Sequence, residues 1–237
     1  MTLHVDSVGH GSEVAVLLHG MMGSSESWWR VVPLLVERGY RVLAVDLPGH
    51  GLSDRDPSLT IDRAADAVVA TVERRSAGEP ALAMGHSFGG LVLAAASARL
   101  RPKLAVYVDS PFSGRGGWNR DEVAAEYESD RRARTVDGLR ASRPYYSDQD
   151  CLVEGRAAER FDPATAAAVA AADGGSWPPA PGSIVIRADP SDYVSDETAS
   201  GLRQRGVHVR SIPGSAHSIW YSHFDQFVAS LPEVFEH

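Results

Sequence analysis

The sequence predicts an α/β fold: a mostly parallel central sheet flanked by helices and interrupted once, past its middle, by a helical insertion. Three observations carry this. Short runs rich in Val, Leu and Ala recur along the first hundred or so residues, each followed by Gly, Pro or Asp. Stretches of helical length separate them. After Asp109 the rhythm stops, and it resumes only at residue 183.

The first run is 14–18 (VAVLL), apolar throughout, as expected of a strand buried on both faces of a parallel sheet. A helix over 28–38 follows, with Pro33 in its first turn, where a missing N–H costs little. Runs 41–45 (RVLAV), 81–84 and 104–108 (LAVYV) repeat the pattern, with helices over 61–75 and 88–100 between them. Such alternation needs crossover connections, and hence parallel pairing. Residues 112–181 hold Ala-, Glu- and Arg-rich helix material at 122–134, 150–160 and 163–172, and no convincing strand. They close in the stiff return SWPPAPG (176–182). Strands resume at 183–187 (SIVIR) and 207–212, with a helix over 195–205 between them and a closing helix over about 223–235. Residues 1–111 and 182–237 therefore form one core, and 112–181 an insertion whose two ends return to it.

Composition removes several classes. Apolar residues at 43% and charged residues at 23% exclude a disordered chain. With 31 acidic against 23 basic residues, a net charge of −8, the chain lacks the positive field that grips a phosphate backbone, so nucleic acid is not an expected partner. A single cysteine, Cys151, excludes an intrachain disulfide and a cysteine-built zinc cage. No apolar run approaches the ~18 residues of a spanning helix. The start, MTLHVD, carries no secretory signal pattern, so a cytoplasmic chain without a membrane partner is expected.

The chemistry concentrates in four segments. Residues 85–89 (GHSFG) match G-x-S-x-G, with a third glycine at Gly90; a predicted strand enters the motif and an Ala-rich helix leaves it. A serine on so tight a turn has strained backbone angles, and side chains in place of the glycines would strike the neighbouring strand and helix. Ser87 is the candidate nucleophile. A hydroxyl attacks poorly without a base to take its proton. His217, in 214–217 (GSAH) after the last predicted strand, falls at the C-terminal edge of the sheet beside Ser87. The glycine-rich loop 19–23 (HGMMG) turns a backbone N–H toward a substrate carbonyl, so Met21 and Phe88 are the candidate donors to an oxyanion. His19 and His50 read as holders of loop backbone, His86 as a shaper of the elbow, and Asp46 as a structural residue opening the glycine turn at 49–51. Three carboxylates at strand ends, Asp109, Asp189 and Asp192, all satisfy the chain order serine, acid, histidine.

Taken together, HGMMGSS (19–25), DLPGHGLS (46–53), GHSFGG (85–90) and GSAHS (214–218) resemble the α/β-hydrolase superfamily over roughly 1–110 and 183–237. The resemblance implies the α/β-hydrolase fold and makes 112–181 its cap. In most members the acid follows the strand corresponding to 183–187, as G-x-x-D; here that position falls on Ser191, one residue before Asp192, and Ala188 replaces the glycine. A subgroup of small esterases is more similar. It carries a Ser-x-Tyr-like element in that loop and draws its acid from the preceding strand end. That implies Asp109, with Ser191 as an accessory partner and Asp192 as the alternative.

The implied activity is hydrolysis of a small or medium carboxylic ester, or a thioester, through an acyl-enzyme, with no metal or organic cofactor. Two rivals share the fold. A lyase or C–C bond hydrolase of a menaquinone-type or aromatic pathway would need cationic groups lining the pocket; a ligand receptor would turn over slowly or not at all. Aromatic residues of the insertion (Phe112, Trp118, Tyr127, Tyr145, Tyr146, Phe161 and Trp177), with Trp28, Trp29, Trp220 and Tyr221, offer an apolar acyl pocket. Arg131, Arg132 and Arg134, interleaved with Glu126, Glu128 and Asp130, read as a solvated mixed-charge helix face.

Overall fold

The computed structural model describes residues 1–76 and 78–236. The chain begins with strands β1 (Val5–Val8) and β2 (Glu13–Leu18), a single 3-10 turn (Ser25–Trp28), helix α1 (Val31–Glu37), β3 (Tyr40–Val45) and α2 (Ile61–Arg75). β4 (Leu82–His86), α3 (Phe88–Leu100) and β5 (Leu104–Val108) follow. A short strand β6 (Ser113–Gly116) then leads into four helices, α4 (Arg120–Ala133), α5 (Val136–Ser142), α6 (Asp148–Glu159) and α7 (Pro163–Ala171), and out through β7 (Asp173–Ser176). The chain closes with β8 (Ile184–Asp189), α8 (Asp196–Gln204), β9 (His208–Pro213) and three short helices, α9 (Ile219–Ser222), α10 (Phe224–Ala229) and α11 (Pro232–Phe235).

Seven strands form one sheet in the order β1-β3-β2-β4-β5-β8-β9. Within this sheet, among the described residues, only the β1–β3 pairing is antiparallel. Successive side chains of each inner strand enter opposite layers. Val14, Val16 and Leu18 pack with α2 and α3 residues such as Val68 and Val92, while Ala15 and Leu17 face Trp28, Leu35 and Phe227. The same split divides Ala83 from Leu82 and Met84, Tyr107 from Val106 and Val108, and Val185 from Ile184 and Ile186. Burial on both faces explains why these strands are continuous apolar runs. From β2 the chain steps to β3 on one side, then crosses to β4 on the other. The loops after β2 and β4 therefore diverge, which opens a crevice at the sheet's carboxyl edge.

Several elements depart from the expectations. Strand β1 (VDSV) is polar and mostly solvent-facing, so it carried no buried-strand pattern. The region 112–181 does contain strands. β6 (SGRG) and β7 (DGGS) pair antiparallel through Ser113–Ser176 and Gly114–Gly175. Their composition disfavours strand; they pair, as a separate two-stranded sheet, where the chain leaves after β5 and returns before the neighbouring strand β8. Helix α5 was not anticipated, and the closing helix is three short pieces, the last started by Pro232 in its first turn. Pro33 is the third residue of α1, inside the first turn as expected. No helix among the described residues is long and apolar enough to cross a membrane.

Candidate active site

Ser87 stands between β4 and α3 with φ 51° and ψ −118°, a left-handed-side conformation costly for a residue with a Cβ. Its N–H bonds Val108 O at 3.0 Å, and its carbonyl accepts from Gly90 and Leu91, so the strained turn is held from both sides. Its hydroxyl makes no capping bond to α3. The three glycines are required by contact. A Cβ on Gly85 would lie 2.6 Å from Gly89 O, on Gly89 2.3 Å from His19 O, and on Gly90 1.9 Å from Ser110 Oγ. Gly89→Ala is expected to lower stability by about 3 kcal/mol, since backbone lies in the way. Gly114→Ala, which meets open space, should stay within about 0.5 kcal/mol; urea midpoints check both.

His217 follows β9, and its Nδ1–H donates to Asp109 Oδ2 at 2.7 Å. Asp109 ends β5 with φ 42° and is 1% exposed. Its other oxygen accepts from Ser191 Oγ at 2.6 Å and from Ala188 N–H at 3.1 Å. A carboxylate buried so deeply needs donors of this kind. The imidazole is packed on both sides. Tyr193 stacks on it with ring centroids 4.3 Å apart, and the His86 ring lies 4.4 Å away. His86 Nε2 also donates to His217 O at 3.1 Å, which ties the base to the elbow.

Ser87 and His217 line one cavity of about 420 Å³ together with Met21, Tyr127, Tyr145, Tyr146, Tyr193 and Trp220. The structure thus gathers Ser87, His217, Asp109 and Met21 at the carboxyl edge. Phe88 opens α3, its side chain in the core and its N–H among the unladdered donors of the helix start. Asp192 is not brought to His217: it is exposed, and Asp109 occupies Nδ1 instead. Asp189 is drawn aside by Arg187 at 3.3 Å, a buried guanidinium that also binds Val194 O and Asp196. Ser191 meets Asp109 while accepting the N–H groups of Tyr193 and Val194, so one hydroxyl organises the whole loop.

The aromatic expectation is corrected in part. Tyr127, Tyr145, Tyr146 and Trp220 reach the cavity, so its wall is rich in hydroxyls rather than purely apolar. Trp28 stacks beneath Trp220 in the core, Trp118 is half-exposed, and Trp177 reaches Asp62. Sequence reasoning missed Tyr193 as a wall of the site, although the Ser-x-Tyr element contained it. It also missed Arg143 and Glu154, whose spacing carries no motif.

Three histidines around the site are held neutral. His19 Nε2 accepts the Leu47 N–H at 3.0 Å, which places its proton on Nδ1, donated to Gly20 O at 2.8 Å. Burial lowers its pKa. Burial also lowers that of His86 well below the ordinary value, and it pushes His50 down to about 3. Asp46, as expected, is structural: it accepts from Ser25 and Leu52 N–H groups.

Between pH 6.5 and about 3 the unfolded chain protonates the His50 ring and the folded chain resists, so the unfolded state holds more protons and stability rises with pH. The stability is complete above about 6.5 and is lost on acidification. His50 alone should remove about 1.4 kcal/mol per pH unit below that point. His19 and His86 act in the same direction. Urea unfolding at pH 7.5 and 5.0 checks this, and His50→Gln should flatten the dependence.

A family model described as the alpha/beta hydrolase family matches residues 15–230. The chain is 36% identical over 123 residues to a pimeloyl-(acyl-carrier protein) methyl ester esterase of Methylococcus capsulatus, over 50% of this chain and 45% of that protein. It is 33% identical over 95 residues to methylesterase 8 of Arabidopsis thaliana, over 39% of this chain and 35% of that one. The matched stretches span less than half the length of these relatives. Among solved structures it resembles bromoperoxidase from Bacillus anthracis, with TM-score 0.79, 20% identity, and 99% and 95% of the two chains covered. It also resembles an esterase from Exiguobacterium antarcticum, with TM-score 0.76, 16% identity, and 99% and 96% covered. The family match runs through the elbow, the loop after β2 and the His217 turn alike, and the chain belongs to the alpha/beta hydrolase family.

Proposed function

We propose that this chain hydrolyses a small or medium carboxylic ester, or a thioester, through an acyl-enzyme on Ser87. The observation that carries the reading is the 2.7 Å contact from His217 Nδ1 to Asp109 Oδ2 in the cavity that Ser87 lines. With Nδ1–H given to the carboxylate, Nε2 keeps its lone pair for the Ser87 proton. As Oγ attacks the carbonyl carbon, the carbonyl oxygen takes the negative charge. The N–H groups of Met21 and Phe88 receive it, aided by the positive end of α3. His217 then protonates the leaving alcohol or thiol, water attacks the acyl group with His217 again as base, and the acid departs.

Residues 112–181 act as the cap over this chemistry, and the core is formed by 1–111 and 182–237. The relatives named as methyl ester esterases support ester cleavage. A second reading, lyase or C–C bond hydrolysis on the same residues, draws on Arg134 and Arg143 at the cavity wall. The test is turnover of p-nitrophenyl acetate and butyrate together with fluorophosphonate labelling of the Ser87 peptide. Both are expected. Labelling without ester turnover would move the reading to the lyase class, and loss of both would overturn it.

A further inference from the structure

Arg134, Arg143, Glu154 and Asp130 bring charge to the cavity wall. Glu154 is satisfied: one oxygen accepts from Arg134 at 2.8 Å and the other from the Tyr221 hydroxyl at 2.8 Å. Arg134 Nε, by contrast, is buried and without a hydrogen-bond partner among the described residues. Buried donors are almost always paired in folded proteins. Arg143 is exposed and, like Arg115 and Arg120, lacks the carboxylate partner that other arginines of the insertion have among the described residues, but unlike those two it lines the cavity. Arg131 and Arg132 share Glu128, Arg140 pairs with Asp137 and Asp148, and Arg156 pairs with Glu26. Arg143 has no carboxylate within 4.0 Å among the described residues, and it spends one N–H on the adjoining Ser142 carbonyl at 3.2 Å. The expected solvated charge face therefore describes Arg131 and Arg132, while Arg134, half-buried and paired with Glu154, lines the cavity together with the exposed Arg143.

Building on the ester reading, we infer that Arg134 and Arg143 form a subsite for an ionised carboxylate on the substrate, so that the ester cleaved is a monoester of a dicarboxylic acid. A guanidinium fork matches a carboxylate in shape and charge. Solvent screens that attraction less at the half-buried Arg134 than at the exposed Arg143. A volume of about 420 Å³ suits a small substrate that spans both the serine and the arginines. Asp130, at the exposed end of α4, sets the opposing possibility of a cationic substrate, which the experiment separates.

The experiment compares kcat/KM for monomethyl adipate, methyl hexanoate and methyl 6-aminohexanoate, with p-nitrophenyl acetate as the reference ester. Wild type is expected to prefer the carboxylate over the neutral ester by about tenfold or more, as a charge-assisted hydrogen bond supplies. The ratio should shrink at about 0.5 M salt. In Arg143→Gln it should fall toward one, and Arg143→Lys should restore part of it. Arg134→Gln should act likewise where its melting curve shows a folded chain. Equal rates for the adipate and hexanoate esters, a ratio unchanged in Arg143→Gln, or preference for the amine would each overturn the subsite while p-nitrophenyl acetate turnover keeps the ester reading. Loss of turnover on every ester would remove both.

Discussion

Replacing Ser87 with alanine is expected to lower kcat for p-nitrophenyl butyrate by a factor on the order of 10⁶ while leaving the urea midpoint nearly unchanged. The hydroxyl makes no capping bond, and the elbow is held by backbone bonds and close glycine contacts, none of which the alanine disturbs. In the proposed mechanism the loss is large because His217 and Asp109 serve the same proton transfer and have no work without the nucleophile. Residual rate would reflect the N–H groups of Met21 and Phe88 and simple binding. Turnover within tenfold of wild type would transfer the chemistry to another group.

The second large effect is expected at Asp109. Asp109→Asn keeps the shape of the side chain and should cost about 10⁴ in kcat. Its amide oxygen stays on the Ser191 and Ala188 donors, which leaves the NH₂ group facing His217 Nδ1. That nitrogen must then accept, so the imidazole proton moves to Nε2, where the Ser87 proton should go. Asp192→Asn, at an exposed carboxylate away from His217, should change kcat by less than about threefold. Ser191→Ala should fall between them, because it removes one of the donors that orient Asp109. A larger loss at Asp192 than at Asp109 would reverse the assignment of the acid.

Both effects depend on residues of unequal legibility. The elbow was readable because its requirements are local: glycines at 85 and 89 mark places where backbone crosses backbone, Gly90 one where the Ser110 side chain presses in, and the flanking apolar runs mark a strand and a helix. His217 was readable from its place between the last strand and the closing segment. Strands β6 and β7 were not, since SGRG and DGGS lack strand-favouring residues and their partners lie at opposite ends of the insertion. Tyr193 and Arg143 were not, because their meeting with the cavity depends on how the loop after β8 and the chain after α5 are carried over the sheet.

From the sequence alone came the two-faced strands, the serine elbow and the histidine turn, all of which obey rules acting over a few neighbouring residues. Folding decided which aspartate reaches the imidazole. All three carboxylates lie between Ser87 and His217 in the chain, and Asp109 and the segment 189–192 leave adjacent parallel strands at the same edge, so neither order nor edge separates them. Only the direction of each side chain separates them, set by the φ of 42° at Asp109 and by the hold of Arg187 on Asp189.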